Sequence, residues 1–326
     1  MSSVSEALLS LKNVHIQYGT KDPFYAVNDL NIELLSGRCL GVAGESGCGK
    51  STFVQSILNL LPLSAFVSKG SCHFKEIDLF NCSKDILNKI RSKEIAMIFQ
   101  NPMSALNPFK RIRDQIEEIY QLHSEMSKEE YQNDILKLFK RVQFTDPERV
   151  LKAYPHELSG GMCQRIMIAM AVSQKPKILI ADEPTTALDV NTQKEILKII
   201  KQLQVENDMG VIFITHDLSV LEVIADEVAV MYAGEIVEKK ESSIFFKSPE
   251  HPYSAALLKA SPRLNGDLLK SIPTIEGHPP KLKAIDQFCN FRNRCKEKKE
   301  ICEKKHIETR FTNKGEVRCL LIEENC

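Results

Sequence analysis

Residues 44–51, Gly-Glu-Ser-Gly-Cys-Gly-Lys-Ser, constrain this chain more than any other stretch, because they fit G-x-x-x-x-G-K-[ST] at every fixed position. Such a loop belongs between a strand and a helix, and the flanks supply both. Cys39 to Ala43 is a short apolar run of strand type, and Thr52 to Leu61 carries apolar residues at helical spacing. An α/β chain with a phosphate-binding loop after a buried strand is therefore expected. Gly44, Gly47 and Gly49 let backbone N–H groups approach an anion, and the helix N-terminus turns its partial positive charge to the same place. In that cradle Lys50 reaches the β- and γ-phosphates and the Ser51 hydroxyl ligates Mg²⁺. Glu45, Ser46, Cys48 and Thr52 are counted with the lining of the cradle. Cys48 lies beside a helix N-terminus and Lys50, a setting expected to lower its thiol pKa and make it reactive.

The rest of the chain adds polar residues at the ends of predicted elements. Leu8 to Tyr18 and Tyr25 to Leu35 read as strands joined by a turn, ahead of the phosphate loop. Tyr18, at the end of the first, fits either an adenine-stacking ring or an ordinary strand tyrosine. Ile95 to Phe99 is a strand ending at Gln100, after which Asn101 to Pro108 cannot continue it. Helix is predicted over most of Arg111 to Val142, with Ser127 as N-cap. Ser159-Gly160-Gly161, followed by a helix from Cys163 to Gln174, makes a second anion site from backbone N–H groups and a hydroxyl. The strand Ile178 to Ala181 ends in Asp182 and Glu183, of which the first suits Mg²⁺ and the second suits the polarising of water. Asp189 stands in the first turn of a helix predicted from Thr186 to Gln204, and His216 follows the apolar strand Val211 to Thr215. That strand end is where parallel sheets bind ligands.

Length and charge narrow the class further. A chain of 326 residues accommodates one large α/β domain with an appendage, or two domains. With 43 Lys and Arg against 43 Asp and Glu, no global charge signal points to nucleic acid. No run approaches the roughly 18 apolar residues of a spanning helix, and no secretory leader is legible, so a cytoplasmic protein is expected. Ten cysteines in such a protein point to metal ligation or burial rather than to disulfides, and five of them lie at or after Cys289.

With these motifs in this order, the sequence resembles the nucleotide-binding subunit of ABC transporters over roughly residues 8 to 260, matching at the phosphate loop, Gln100, Leu158-Ser159-Gly160-Gly161-Met162, Asp182-Glu183, Asp189 and His216. The resemblance implies an ABC-type P-loop NTPase over residues 1–260: a RecA-like core, an antiparallel β subdomain and a helical subdomain of about residues 101–174. It implies ATP and Mg²⁺ as cofactors, and a head-to-tail dimer in which ATP lies between the phosphate loop of one subunit and Ser159-Gly160-Gly161 of the other. Gln100 and Asp182 would complete the Mg²⁺ shell, Glu183 would be the general base, and His216 would contact the γ-phosphate. Asp189 would stand with the nucleotide-binding residues, and Tyr18 at the adenine.

Narrower features resemble the dipeptide, oligopeptide and nickel importer branch: Phe99 to Pro108, Met162, His251-Pro252-Tyr253 and Gly277-His278-Pro279-Pro280. Asn101, Cys163 and Thr186 depart from the commonest residues of the family without removing a catalytic group. Over residues 261–326 the chain resembles that branch's C-terminal extension. There Cys289, Cys295, Cys302 and Cys319 have the spacing some members use for a [4Fe–4S] cluster, with zinc or free thiols as alternatives and Cys326 set aside. The implied partners are two transmembrane permease subunits, a second ATPase subunit and, indirectly, an extracytoplasmic binding protein, placing the chain peripherally at the cytoplasmic face of the membrane. The alternatives are the same ATPase serving nickel or a metal chelate, and a soluble ABC ATPase outside transport, which usually carries two cassettes or a long coiled coil.

Overall fold

The computed structural model describes residues 7–186, 188–261, 273–285 and 287–323. Cys326, and Ala187 in the loop before Asp189, lie outside the described residues. In chain order the elements are β1 (Leu9–Tyr18), β2 (Phe24–Leu34), β3 (Cys39–Ala43), α1 (Lys50–Ile57), β4 (Ala65–Phe74), β5 (Ile77–Asp78), α2 (Lys84–Ile90) and β6 (Ile95–Ile98). Then follow α3 (Pro102–Ala105), α4 (Ile112–His123), α5 (Lys128–Arg141), α6 (Pro147–Lys152), α7 (Gly160–Val172), β7 (Ile178–Asp182), α8 (Val190–Asn207) and β8 (Gly210–Thr215). The chain closes with α9 (Leu218–Ile224), β9 (Glu227–Tyr232), β10 (Glu235–Glu241), α10 (Ser242–Phe245), α11 (Pro252–Ala260), β11 (Arg310–Thr312) and β12 (Gly315–Val317).

The chain divides into two compact units, one of Met1–Cys82 with Phe213–Cys326 and one of Ser83–Ile212. In the first, β2, β1, β4 and β5 form an antiparallel sheet whose register shifts at bulges along β1. A second run of strands carries the phosphate loop. There β3 pairs in parallel with β9, β9 runs antiparallel to β10, and β10 to β12. Every residue of β3 is buried, as its unbroken apolar sequence requires of a strand covered on both faces. The C-terminal extension is knitted into this unit: β12 pairs with β10 through Glu238 and Val317, and β11 pairs with β12.

In the second unit β6 and β7 pair in parallel, Ile95 opposite Ile178. The helices around them follow local signals. Ser127 caps α5 and Glu130 returns the bond to the Ser127 N–H, closing both halves of a capping box. Tyr131, Ile135, Leu138 and Phe139 then form one buried face at helical spacing. The long helix of this unit begins at Val190 rather than Thr186, because the Asp189 side chain accepts from the N–H groups of Asn191 and Thr192 and so defines the N-cap.

Candidate nucleotide-binding site

In the first unit the loop between β3 and α1 is built by close backbone approach. A Cβ on Gly44 would lie 2.2 Å from the Met231 carbonyl oxygen, and one on Gly49 would lie 2.2 Å from that of Ala26. Only glycine fits at either place. Gly49 also N-caps α1 at φ +106, a conformation closed to most side chains. The helix thus starts at Lys50, earlier than its apolar pattern begins, and Ser51 and Thr52 fall in its first turn. Lys50 is 5% exposed, and its Nζ donates to the Gly44 and Glu45 carbonyls at 2.8 and 3.0 Å. The loop is tied down at two further points. The Gly234 N–H donates to the Cys48 carbonyl at 2.9 Å, and the Glu45 N–H donates to the Tyr253 hydroxyl at 3.0 Å.

Cys48 departs from the expectation of a reactive thiol. Its side chain is 1% exposed and turns inward beneath the loop, where burial pushes the thiol pKa up although Lys50 pulls the other way. Desolvation wins because the thiolate would sit in a packed interior. The residue serves the loop through its backbone, and its thiol is not a reactive group facing a nucleotide.

Tyr18 ends β1 with its ring stacked on Phe24 at 5.0 Å and 9° between planes, and its hydroxyl lies 3.4 Å from Thr52 Oγ1 in α1. Phe24 is a partner that sequence reasoning missed: it opens β2 one residue before the predicted strand begins. Tyr25 is used otherwise: its N–H donates to the Leu282 carbonyl of the extension at 2.7 Å. His216 is exposed and directly follows the last residue of β8.

The second unit brings together three of the other predicted residues. Asp182 is the last residue of β7 and is 4% exposed. Glu183 follows at φ +49, a left-handed conformation that costs a non-glycine residue roughly 1–2 kcal/mol. Its Oε2 accepts from Gln100 Nε2 at 3.0 Å and from the Thr186 hydroxyl at 2.9 Å. The strand end, the bend after it and the two donors hold that carboxylate in one orientation, as a base that must meet a particular water requires. The Asp189 carboxylate is spent on the N-terminus of α8 and on the Thr192 hydroxyl at 2.6 Å, bonds that hold its pKa below the usual range. Ser159 caps α7 by accepting from the Met162 N–H at 3.3 Å. Gly160 and Gly161 form the first turn of that helix, whose leading N–H groups have no intrahelical acceptors.

The cysteines of the extension share one neighbourhood. Burial raises the pKa of Cys289 to about 11, and the charges of Cys319, Cys295 and Cys302 each add to that rise. Burial, with smaller contributions from neighbouring negative charges including Glu297, raises Cys295 and Cys319 as well. Among the described residues, no group of three or more His, Cys, Asp or Glu side chains is arranged to hold a metal ion. Arg294, beside Cys295, is a contact that sequence reasoning missed: its guanidinium meets the Glu45 carboxylate of the phosphate loop. No local pattern marks that pairing, which joins positions 249 residues apart.

Comparison with known proteins gives the family. Residues 27–186 match the family model for ABC transporter, and residues 237–302 match that for oligopeptide/dipeptide transporter, C-terminal region. The chain is 43% identical to the oligopeptide transport ATP-binding protein OppD of Escherichia coli over 299 residues, 91% of this chain and 88% of that one. It is 44% identical to the dipeptide transport ATP-binding protein DppD of Bacillus subtilis over 301 residues, 92% and 90% of the two chains. Among solved structures, the ATP-binding cassette MJ0796, a dimer in a post-hydrolysis state bound to ADP and Pi, superposes with a TM-score of 0.64 at 30% identity, covering 72% of this chain and 98% of that one.

Proposed function

This chain belongs to the family of ABC transporter ATP-binding subunits and is an ATPase, and on that premise we propose that it powers the import of peptides across the cell membrane. The observation that carries the cargo is the match of residues 237–302 to the peptide-transporter C-terminal region, lying outside residues 27–186, which match the model common to the whole family. No helix among the described residues is long and apolar enough to cross a membrane. The partners in this reading are two permease subunits, a second ATPase subunit docked head to tail, and an extracytoplasmic binding protein that selects the peptide. The chain then lies peripherally at the cytoplasmic face.

In the proposed mechanism the first unit supplies the loop N–H groups, Lys50 and Ser51 to the phosphates, and Tyr18 to the adenine. Lys50 leaves the loop carbonyls that hold it and follows the γ-phosphate charge, while His216 donates to that phosphate. Ser51, Gln100 and Asp182 present hard oxygen donors of the kind that suit Mg²⁺, which when bound offsets phosphate charge. Glu183, held by Gln100 and Thr186, takes the proton of the attacking water. Ser159, Gly160 and Gly161 grip the nucleotide of the partner subunit through the α7 N-terminus, and closing and reopening of that dimer drives the permease. In the extension, Cys289, Cys295, Cys302 and Cys319 are the proposed ligands of a [4Fe–4S] cluster. Four soft thiolates are the ligand set such a cluster takes, and a cluster would order a segment poor in apolar residues.

The test is reconstitution of the chain with its permease and ATPase partners in proteoliposomes. ATP hydrolysis is expected to rise when the binding protein carries di- or oligopeptides. Stimulation by nickel or a metal chelate, with none by peptides, would replace the cargo; hydrolysis independent of any permease would remove the transport role.

A further inference from the structure

Glu45 is an awkward residue for a phosphate cradle, because a carboxylate there repels the polyanion that the surrounding N–H groups attract. Arg294 meets it with both arms of its guanidinium, Nη1 to Oε2 at 2.7 Å and Nη2 to Oε1 at 2.9 Å. The pair is partly withdrawn from water, with the arginine side chain 6% exposed and the glutamate 26%. The guanidinium is itself fixed by carbonyls: Nε donates to Glu276 at 2.8 Å, and Nη2 to Ile275 and Gly277 at 3.2 and 3.1 Å. Its centre lies 5.7 Å from the Tyr232 ring centroid. Gly277 opens the Gly277-His278-Pro279-Pro280 stretch. Tyr253, whose hydroxyl takes the Glu45 N–H, belongs to His251-Pro252-Tyr253. Of two motifs that the cassette chemistry leaves unused, one thus meets Glu45 directly and the other holds Arg294, its partner.

We propose that Arg294, supplied by the C-terminal extension, is a positioning residue of the nucleotide site, which neutralises Glu45 and holds the phosphate loop in the form that accepts ATP. The extension is then a working part of the ATPase rather than an appendage. Lysine cannot replace Arg294 in full, since the bidentate pair and the three carbonyl contacts use the planar fork of donors. The proposal rests on the reading of residues 44–51 as the phosphate cradle.

The sign of the coupling makes it testable. Removing Arg294 alone leaves a bare carboxylate beside the phosphates, whereas removing the Glu45 charge as well takes the repulsion away. Affinity of the full chain for a slowly hydrolysed ATP analogue with Mg²⁺ is read by calorimetric titration, with circular dichroism confirming the fold of each variant. Arg294→Met is expected to weaken binding about tenfold, the effect of one uncompensated charge roughly 10 Å from another at a partly solvated site. Arg294→Lys should fall between it and wild type, and Glu45→Gln/Arg294→Met should return to within about threefold of wild type. Unchanged binding by Arg294→Met, or a double variant as weak as the single one, overturns the proposal and makes Arg294 a structural anchor of the extension. Lys50→Ala separates the two layers: if it binds the analogue as wild type does, the cradle reading itself fails, and if it alone loses binding, only the role of Arg294 falls.

Discussion

Replacing His251 by Asn is expected to flatten the loss of stability that this protein suffers on acidification. His251 is 1% exposed and N-caps α11, its Nδ1 accepting from the Tyr253 N–H at 3.0 Å. Burial lowers its pKa from 6.5 to about 3, against a smaller opposing contribution from a hydrogen bond to the Arg318 backbone. The folded ring is therefore neutral, while the unfolded chain takes up a proton as pH falls through 6.5. A depressed folded pKa means that the contribution is fully present above 6.5 and is lost progressively between 6.5 and about 3. Going from pH 7.5 to 5, the unfolded state gains about 1.5 units of proton-binding free energy over the folded state, or about 2 kcal/mol at 1.36 kcal/mol per unit. For a unit of this size that corresponds to a melting temperature about 4–8 °C lower. Asn retains an oxygen able to cap the helix but carries no titrating ring. Carboxylates that also weaken the fold in acid are common to both proteins and cancel in the comparison. Unfolding followed by circular dichroism at both pH values, a suitable probe for a chain without Trp, should give a pH-dependent loss about 2 kcal/mol smaller in His251→Asn. Equal losses in the two proteins would mean that His251 titrates normally in the fold and would refute the reasoning.

Glu183→Gln should keep nucleotide binding but lower turnover of the assembled transporter by about 10²-fold or more, because an amide cannot take the proton of water; near-normal hydrolysis would remove Glu183 as the base. Cys48 should react with maleimide far more slowly than an exposed thiol, with or without Mg-ATP, and become reactive on denaturation, since burial keeps the thiol protonated and covered. Rapid labelling of the native protein that ATP suppresses would restore the exposed-thiol picture. Protein purified without oxygen should be brown, and Cys295→Ser should lose both iron and the protease resistance of the extension. Stoichiometric zinc in colourless protein would substitute a structural zinc site, and metal-free protein with four alkylatable thiols would leave the cysteines without a ligand role.

Much of this site is legible in the amino-acid sequence because its chemistry is local. A phosphate loop needs glycines, a lysine and a hydroxyl within eight positions, and an apolar strand that ends in Asp182-Glu183 announces its own polar edge. Ser159 and Asp189 stand near helix starts for the same reason, although their role as N-caps, satisfying groups two or three residues away, moves those starts to Gly160 and Val190. What the sequence does not decide depends on which distant residues meet. Proximity to a helix N-terminus and to Lys50 argues for a reactive Cys48, but whether a side chain faces phosphate or core is settled by the β-strands packed under the loop, and desolvation outweighs a neighbouring charge once the thiol is inside. The Tyr18–Phe24 stack requires two strands to turn back on each other. Most of all, Glu45 reads as one variable position of a motif, and Arg294 as one of ten basic residues in a charged segment between Lys281 and Arg310. Only when the extension folds against the strands and loop of that unit do the two become a part-buried bidentate pair, because ion pairing is set by distance in space and leaves no periodicity in the chain.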